Sequence, residues 1–340
     1  MIFPMIRNKT KSGLAITGWR SIGVLVGLLL IAPYQVGAQT AQWAPTENVE
    51  LVVPTAAGST MDLLARVIQD ILLKDHLVDV SMTVQSKPGA GGAVAWTYVS
   101  RKAGDGNYIA ISGPTLLSND IMHVGDLRYT DVTPIVQLFT EYEVFAVQED
   151  SPIKTGGDLA KALKAAVPPA IGVAPGIGGS SHVALLKLAN AAGVDAQHLT
   201  VVPFKGANES VNALLGGNID VAIGTMSVLA PFVSAGKLRA IALAAPTRPE
   251  NSQVPTWTEQ GFDVVEGNWR GIVGPKDMTP AQVRFWQDTI AVMVKDETWR
   301  TNLQRNNWDA DFADSPGSKR FLDKSYQELA ATLATLHVAK

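Results

Sequence analysis

The sequence predicts an α/β protein of two lobes, with a mixed, mostly parallel sheet in each lobe and a helical C-terminal stretch. Three observations carry this. Short apolar, β-branched runs alternate with segments of helical period. The order strand, glycine-rich loop, helix opens two blocks, one near Leu51 and one near Ile171. Hydrophobic residues make up 46% of the 340, enough to bury two cores of ordinary size.

The first element is a leader. Arg7, Lys9, Lys11 and Arg20 precede or flank an apolar run from Ile22 to Ala32, and the small residues of Val36-Gly37-Ala38 follow. This is the pattern of a signal peptide over residues 1–38, cleaved after Ala38. The apolar run is short of the ~20 residues needed to span a bilayer. Without the leader the chain keeps 24 basic against 31 acidic residues, a net of −7. No broad basic field remains for nucleic acid or anionic lipid. With no cysteine there is no disulfide, thiolate metal site, cysteine nucleophile or acylated anchor. A soluble, monomeric protein of the periplasm is expected.

Strand candidates then follow at 49–53, 80–84, 108–112, 144–147, 170–173, 199–202, 221–223, 240–244 and 269–273. The first intervening helix places Leu64, Val67, Ile68, Ile71 and Leu72 on one face. A later one does so with Leu185, Leu188, Ala189 and Ala192, and stops at Gly193. From Pro280 to Leu336 the pattern is helical with polar interruptions. Lobe 1 is expected over 44–142 plus 256–340 and lobe 2 over 143–255. The chain would cross near Glu143 and again between Ala245 and Trp269, and a double crossing makes a hinge.

Two loops stand out as candidate ligand sites. The first holds Thr55, Ala56, Ala57, Gly58, Ser59 and Thr60, with Asp62 in the opening turn of the following helix. Its small residues admit a ligand to the backbone, and its N–H groups and the positive helix end favour an anion. The competing role is a plain helix cap at Ser59 or Thr60. The second holds Ala174, Gly176, Ile177, Gly178, Gly179, Ser180, Ser181 and His182. Ser181 stands where a dinucleotide fingerprint needs its third glycine, and neither a P-loop ending nor a hydrolase elbow is present. If the lobes face each other, two helix starts converge on one carboxylate, with Gly179 supplying one of the amides. Charge-assisted N–H bonds of about 1.5–3 kcal/mol each would reach the ~8 kcal/mol of micromolar binding without an arginine.

Ser112 and Thr115, Phe204 and Gly206, and Thr225 occupy comparable strand ends, where open α/β sheets hold ligands. The loop Lys87-Pro88-Gly89-Ala90-Gly91-Gly92 is read first as a tight turn fixing a helix entry. Five histidines form no zinc-type pair, so neither metal nor cofactor is expected. His182 is a candidate contact whose competing role is structural. An exported hydrolase using Ser180 or Ser181 with His182 remains an alternative, though adjacency in one turn does not make nucleophile–base geometry. A sensor subunit remains another.

Several stretches match a known pattern: Leu51-Val52-Val53-Pro54 with Gly58 and Asp62, the loop 87–92, Gly104-Asp105-Gly106-Asn107-Tyr108 and Gly176 through His182. Further matches are Val202-Pro203-Phe204-Lys205-Gly206, Leu214-Leu215-Gly216-Gly217-Asn218-Ile219-Asp220, Ala235 to Ala240, and Val254-Pro255-Thr256 with Glu259 and Gly261. From about Val49 to the C-terminus the chain thus resembles the Bug-type extracytoplasmic solute receptors of tripartite tricarboxylate transporters. The resemblance implies a type II-like fold closing as a Venus flytrap, a small carboxylate gripped by the two loops with bridging waters, and membrane transporter subunits as partners. Two departures bear on the pocket. Ala56-Ala57-Gly58 replaces the family's usual Pro-Gly-Gly, and Phe204 replaces its usual tyrosine. Both hint at a less polar pocket, suited to an aromatic or aliphatic mono- or dicarboxylate.

Overall fold

Val49–Val53 forms strand β1 because its apolar side chains are buried on both faces, as an inner strand of a helix-covered sheet requires. Leu51 and Val53 pack with Leu64, Ile68 and Ile71 of helix α1 (Thr60–Lys74), while Val52 turns to Ala95 and Trp96 of helix α2 (Ala93–Ser100). The computed structural model describes residues 43–250 and 252–334; the leader with its cleavage position, and the last six residues, lie outside the described residues.

The remaining elements follow in order. β2 (Met82–Ser86), β3 (Tyr108–Ser112), α3 (Thr115–Ile121) and the long β4 (Val132–Gln148) come first. Then come α4 (Gly156–Ala162), β5 (Ala170–Val173), α5 (Ser180–Ala192), β6 (Thr200–Pro203) and α6 (Ala207–Leu215). After β7 (Val221–Thr225), α7 (Met226–Ser234) and β8 (Leu238–Leu243) the chain returns through β9 (Gly267–Pro275). It ends in α8 (Pro280–Met293), α9 (Glu297–Asn306), β10 (Asp309–Ala313) and α10 (Ser315–Ala334).

In one lobe β1 lies parallel between β2 and β3, and β9 joins antiparallel to β3 and to the first part of β4. In the other, β5 lies parallel between β6 and β7, while β7 and β8 join antiparallel to the last part of β4. Alternation recurs there: Phe145 and Val147 face α5, whereas Val144 and Ala146 face α6 and α7. β4 therefore belongs to both sheets. At Glu143 three chain segments are laced together: Glu143 N donates to Glu266 O, Ala244 N to Glu143 O at 2.7 Å, and Glu266 N to Ala244 O. Helix α10 also touches both lobes, its Leu322, Leu329 and Leu333 packing on Leu117 and Ile121 of α3 and on Val183 and Leu186 of α5.

The structure extends the sequence reading in two places. β4 begins twelve residues before the expected 144–147 strand, because Gln137 and Thr140 interrupt the apolar pattern while finding a partner in Asp311. That partner lies on β10, an exposed acidic strand whose composition carries no strand signal. Among the described residues no helix is long and apolar enough to cross a membrane.

Candidate functional site

The strand ends that carry the predicted loops open onto one cleft of about 580 Å³, a volume ordinary for a small-molecule site. From the first lobe Thr55, Ala56, Ala57, Gly58, Ser59, Thr60 and Thr115 line it; from the second, Ala174, Ser180, Gly206 and Thr225 do. The starts of α1, α3, α5, α6 and α7 thus all border the same space.

The rim is a source of donors. At α1 the Ser59 hydroxyl caps the Asp62 amide at 3.3 Å and Leu63 N donates to Ser59 O. The Thr60 and Met61 amides have no acceptor among the described residues, as helix starts generally leave them. At α6 Glu209 N and Ser210 N donate to Gly206 O, and the amides of Ala207 and Asn208 have no such acceptor among the described residues. Oriented amides of this kind, with the aligned helix dipoles, attract an anion.

Other residues read from the sequence stand behind the cleft surface. Asp62 is buried beneath the first loop, where it accepts from Gly58 N at 2.9 Å and from the Arg66 guanidinium at 3.0 Å. The Gly58 amide first, and Arg66 second, hold its carboxyl below the usual range. Ser112 is buried at the end of β3. Gly176 and Ile177 form the outer tip of the second loop, with Ile177 43% exposed, and Gly178 instead borders a smaller cavity of about 230 Å³ beside α10. Gly179 N, expected to reach a ligand, turns back to Gly176 O at 3.3 Å. The Ser181 hydroxyl binds both Ala174 N and Ala174 O at 2.7 Å.

His182 Nδ1 accepts from Gly178 N at 3.1 Å, and burial lowers its pKa to about 4, so the ring is neutral. That nitrogen is committed to the loop and Ser181 to Ala174, so the hydrolase arrangement of a serine bonded to this histidine is not what the residues form. Phe204 packs with Val202 and Leu214 in the second lobe's core rather than on the cleft, so its missing hydroxyl does not alter the cleft wall. The loop 87–92 is held as a turn by Asn119, whose amide donates to Ala90 O and Gly91 O.

The floor holds what the sequence reading missed: Glu141, Glu143 and Arg270. Arg270 sits on β9 and donates to Trp269 O at 2.8 Å and to Asn268 O at 3.2 Å, both within its own strand. Its guanidinium is 3.9 Å from Glu141 Oε1, and Glu141 Oε2 accepts from Ser227 at 2.7 Å. Glu143 is 1% exposed and its Oε2 has no partner. Burial pushes the Glu143 carboxyl up to about 8, with Glu266 and Glu141 adding to the rise; a hydrogen bond from Ser180 and the charge of Arg270 oppose it. A signal for this floor was present: Glu-x-Glu within a strand places both side chains on one face. Such a polar face inside an apolar run asks for a ligand or a cation. Around this charged floor the wall is largely apolar, with Met61, Pro114, Ala174, Pro175, Ala207 and Val228.

Two α/β lobes sharing a strand, with helix starts from both around an open cleft, define a solute-binding receptor by fold and by site. The chain belongs to the TctC family, the tripartite tricarboxylate transporter family receptors, whose sequence model matches residues 64–335. A protein of the gbd 5' region of Cupriavidus necator is 27% identical over 87% of this chain and 89% of its own. The periplasmic binding protein BugD is similar in structure, with a TM-score of 0.75 and 25% identity over 87% of this chain and 99% of its own. A TctC solute-binding protein from Polaromonas gives a TM-score of 0.70 and 26% identity, covering 85% and 99%.

Proposed function

We propose that this chain captures a small carboxylate in the periplasm and presents it to the membrane subunits of a tripartite tricarboxylate transporter. One observation carries the reading: helix starts of both lobes border a single cleft, and the free amides at Thr60, Met61, Ala207 and Asn208 point to an anion held by main chain. Anion binding across the cleft would favour a closed arrangement over an open one, hinged where Glu143, Ala244 and Glu266 cross. We assign the first lobe to 44–142 plus 256–340, the second to 143–255, and export to the leader cleaved after Ala38.

A thermal-shift series with mono-, di- and tricarboxylates, each beside its uncharged amide, tests the reading. A carboxylate at one hundred times its dissociation constant is expected to add about 2.7 kcal/mol, and its amide nothing comparable. Equal stabilisation by the amides would contradict it.

A further inference from the structure

We propose, resting on the carboxylate-receptor reading above, that the cleft floor is a second carboxylate subsite, in which Arg270 and Glu143 both donate to the far carboxylate of a diacid. Both side chains line the cleft, at 6% and 1% exposure, and each keeps a polar atom without a partner: Nε of Arg270 and Oε2 of Glu143. The bonds of Arg270 to Asn268 and to Trp269 O all come from Nη1. Its Nη2 lies 3.9 Å from Glu141 Oε1, too far for a hydrogen bond. The edge formed by Nε and Nη2 is therefore open. By such an edge a guanidinium takes a carboxylate side-on, with two parallel N–H bonds. Arg66 shows the geometry in this same chain, its Nε and Nη2 reaching the two oxygens of Asp62 at 3.0 and 3.2 Å. Glu141 does not fill the edge of Arg270, because its Oε2 is turned to the Ser227 hydroxyl at 2.7 Å.

Glu143 completes the subsite as a donor. Burial pushes its carboxyl up to about 8, and a protonated carboxyl offers one O–H. Ser180 already bonds this carboxyl, which leaves Oε2 to carry the proton toward a ligand. A far carboxylate then accepts N–H bonds from Arg270 and an O–H bond from Glu143, while the near one meets the helix starts at the rim. A monoacid of the same length would bring a methyl group to the floor and leave those buried donors unpaired, which costs affinity. The groups facing Glu143 are Glu141 on its own strand, Glu266 and Arg270 from the returning chain, and Ser180 of α5; Lys205 and Glu209 line the same cleft. The protonated form of Glu143 is the one that binds, so affinity for the diacid is fully present below pH 8 and falls as pH rises through it. An ionised Glu143 loses the donor and repels the far carboxylate.

The probes are matched pairs titrated calorimetrically against the mature chain: succinate with butyrate, glutarate with valerate, adipate with hexanoate. At pH 7 the diacid of at least one pair is expected to bind about tenfold or more tightly than its monoacid. From pH 7 to pH 9 that diacid's affinity is expected to fall about tenfold, as an ionisation near pH 8 requires, and the monoacid's to stay level. Glu143→Gln cannot ionise and is expected to show no such fall for the diacid, at an unchanged fold by circular dichroism. Arg270→Lys keeps the charge but loses the side-on edge, and is expected to narrow the gap between diacid and monoacid. Monoacids binding as tightly as their diacids, a diacid affinity level from pH 7 to pH 9, a fall that persists in Glu143→Gln, or an undiminished gap in Arg270→Lys would each overturn the floor subsite and leave the receptor reading standing. Binding by no member of any pair would overturn both.

Discussion

The two glycine- and serine-lined helix starts look equivalent in sequence, yet the molecule uses them differently. The start of α1 is open: Ser59 caps the helix, its hydroxyl also meets Thr55 at 2.6 Å, and Thr60 and Met61 keep their amides free. The side chains at the start of α5 are turned back on its own loop. Ser181 ties the loop to Ala174, His182 ties it to Gly178, Gly179 folds back to Gly176, and Ser180 meets the chain's own Glu143. Each start also keeps a carboxyl beside it, with opposite consequences. Asp62 is held low by Gly58 and Arg66, whereas Glu143 is held high by burial. The difference thus lies in the side chains: the second start spends its serine and histidine on its own loop, while the amides of Ser180 and Ser181, like those of Thr60 and Met61, have no acceptor among the described residues.

Breaking the second start's own ties is expected to have the largest effect on stability. Ser181→Ala leaves Ala174 N and O without their buried partner and is expected to cost about 2 kcal/mol or more, read as a lowered midpoint in thermal unfolding. Gly178→Ala forces a φ of +80° on a side chain whose Cβ would stand 2.4 Å from Met122 Cε, a cost of about 1–2 kcal/mol by the same measurement. Ser59→Ala removes the cap of the open start and is expected to cost about 1 kcal/mol. Gly206→Ala is the smallest: its φ of −158° suits any residue and nothing lies within 4 Å of the added Cβ, so stability changes by less than about 0.5 kcal/mol.

The two carboxyls sharpen the comparison through pH. The folded state holds the Glu143 carboxyl above its unfolded value, so its contribution is fully present below about pH 4.5 and is lost as pH rises through 8. Asp62 behaves in reverse, its contribution lost as pH falls into the acid range. Urea midpoints between pH 5 and 8 are expected to fall less steeply in Glu143→Gln than in the native chain.

Much of this was legible. Short apolar runs and turn glycines located the inner strands, since β1 and β5 are buried on both faces and carry few polar residues. The first loop lies on the cleft as its spacing suggested. Less legible was β4, whose Gln137 and Thr140 look unfit for a strand until Asp311 is brought from far along the chain. The floor was missed for the same reason: Arg270 and Glu143 come together only when β9 passes beside the crossing at Glu266. Nor could spacing tell which loop amides would be consumed by the loop itself.

The most direct test is a proline at the first position of α1. Ser59 is already extended at φ −74° and ψ 166°, and proline at a helix start is well tolerated, so Thr60→Pro deletes one amide donor and leaves the fold intact. Calorimetric titration of this variant with a carboxylate that binds the native chain should show affinity about tenfold weaker or worse at an unchanged unfolding midpoint. Native affinity in the folded variant would contradict an anion held by the open helix start.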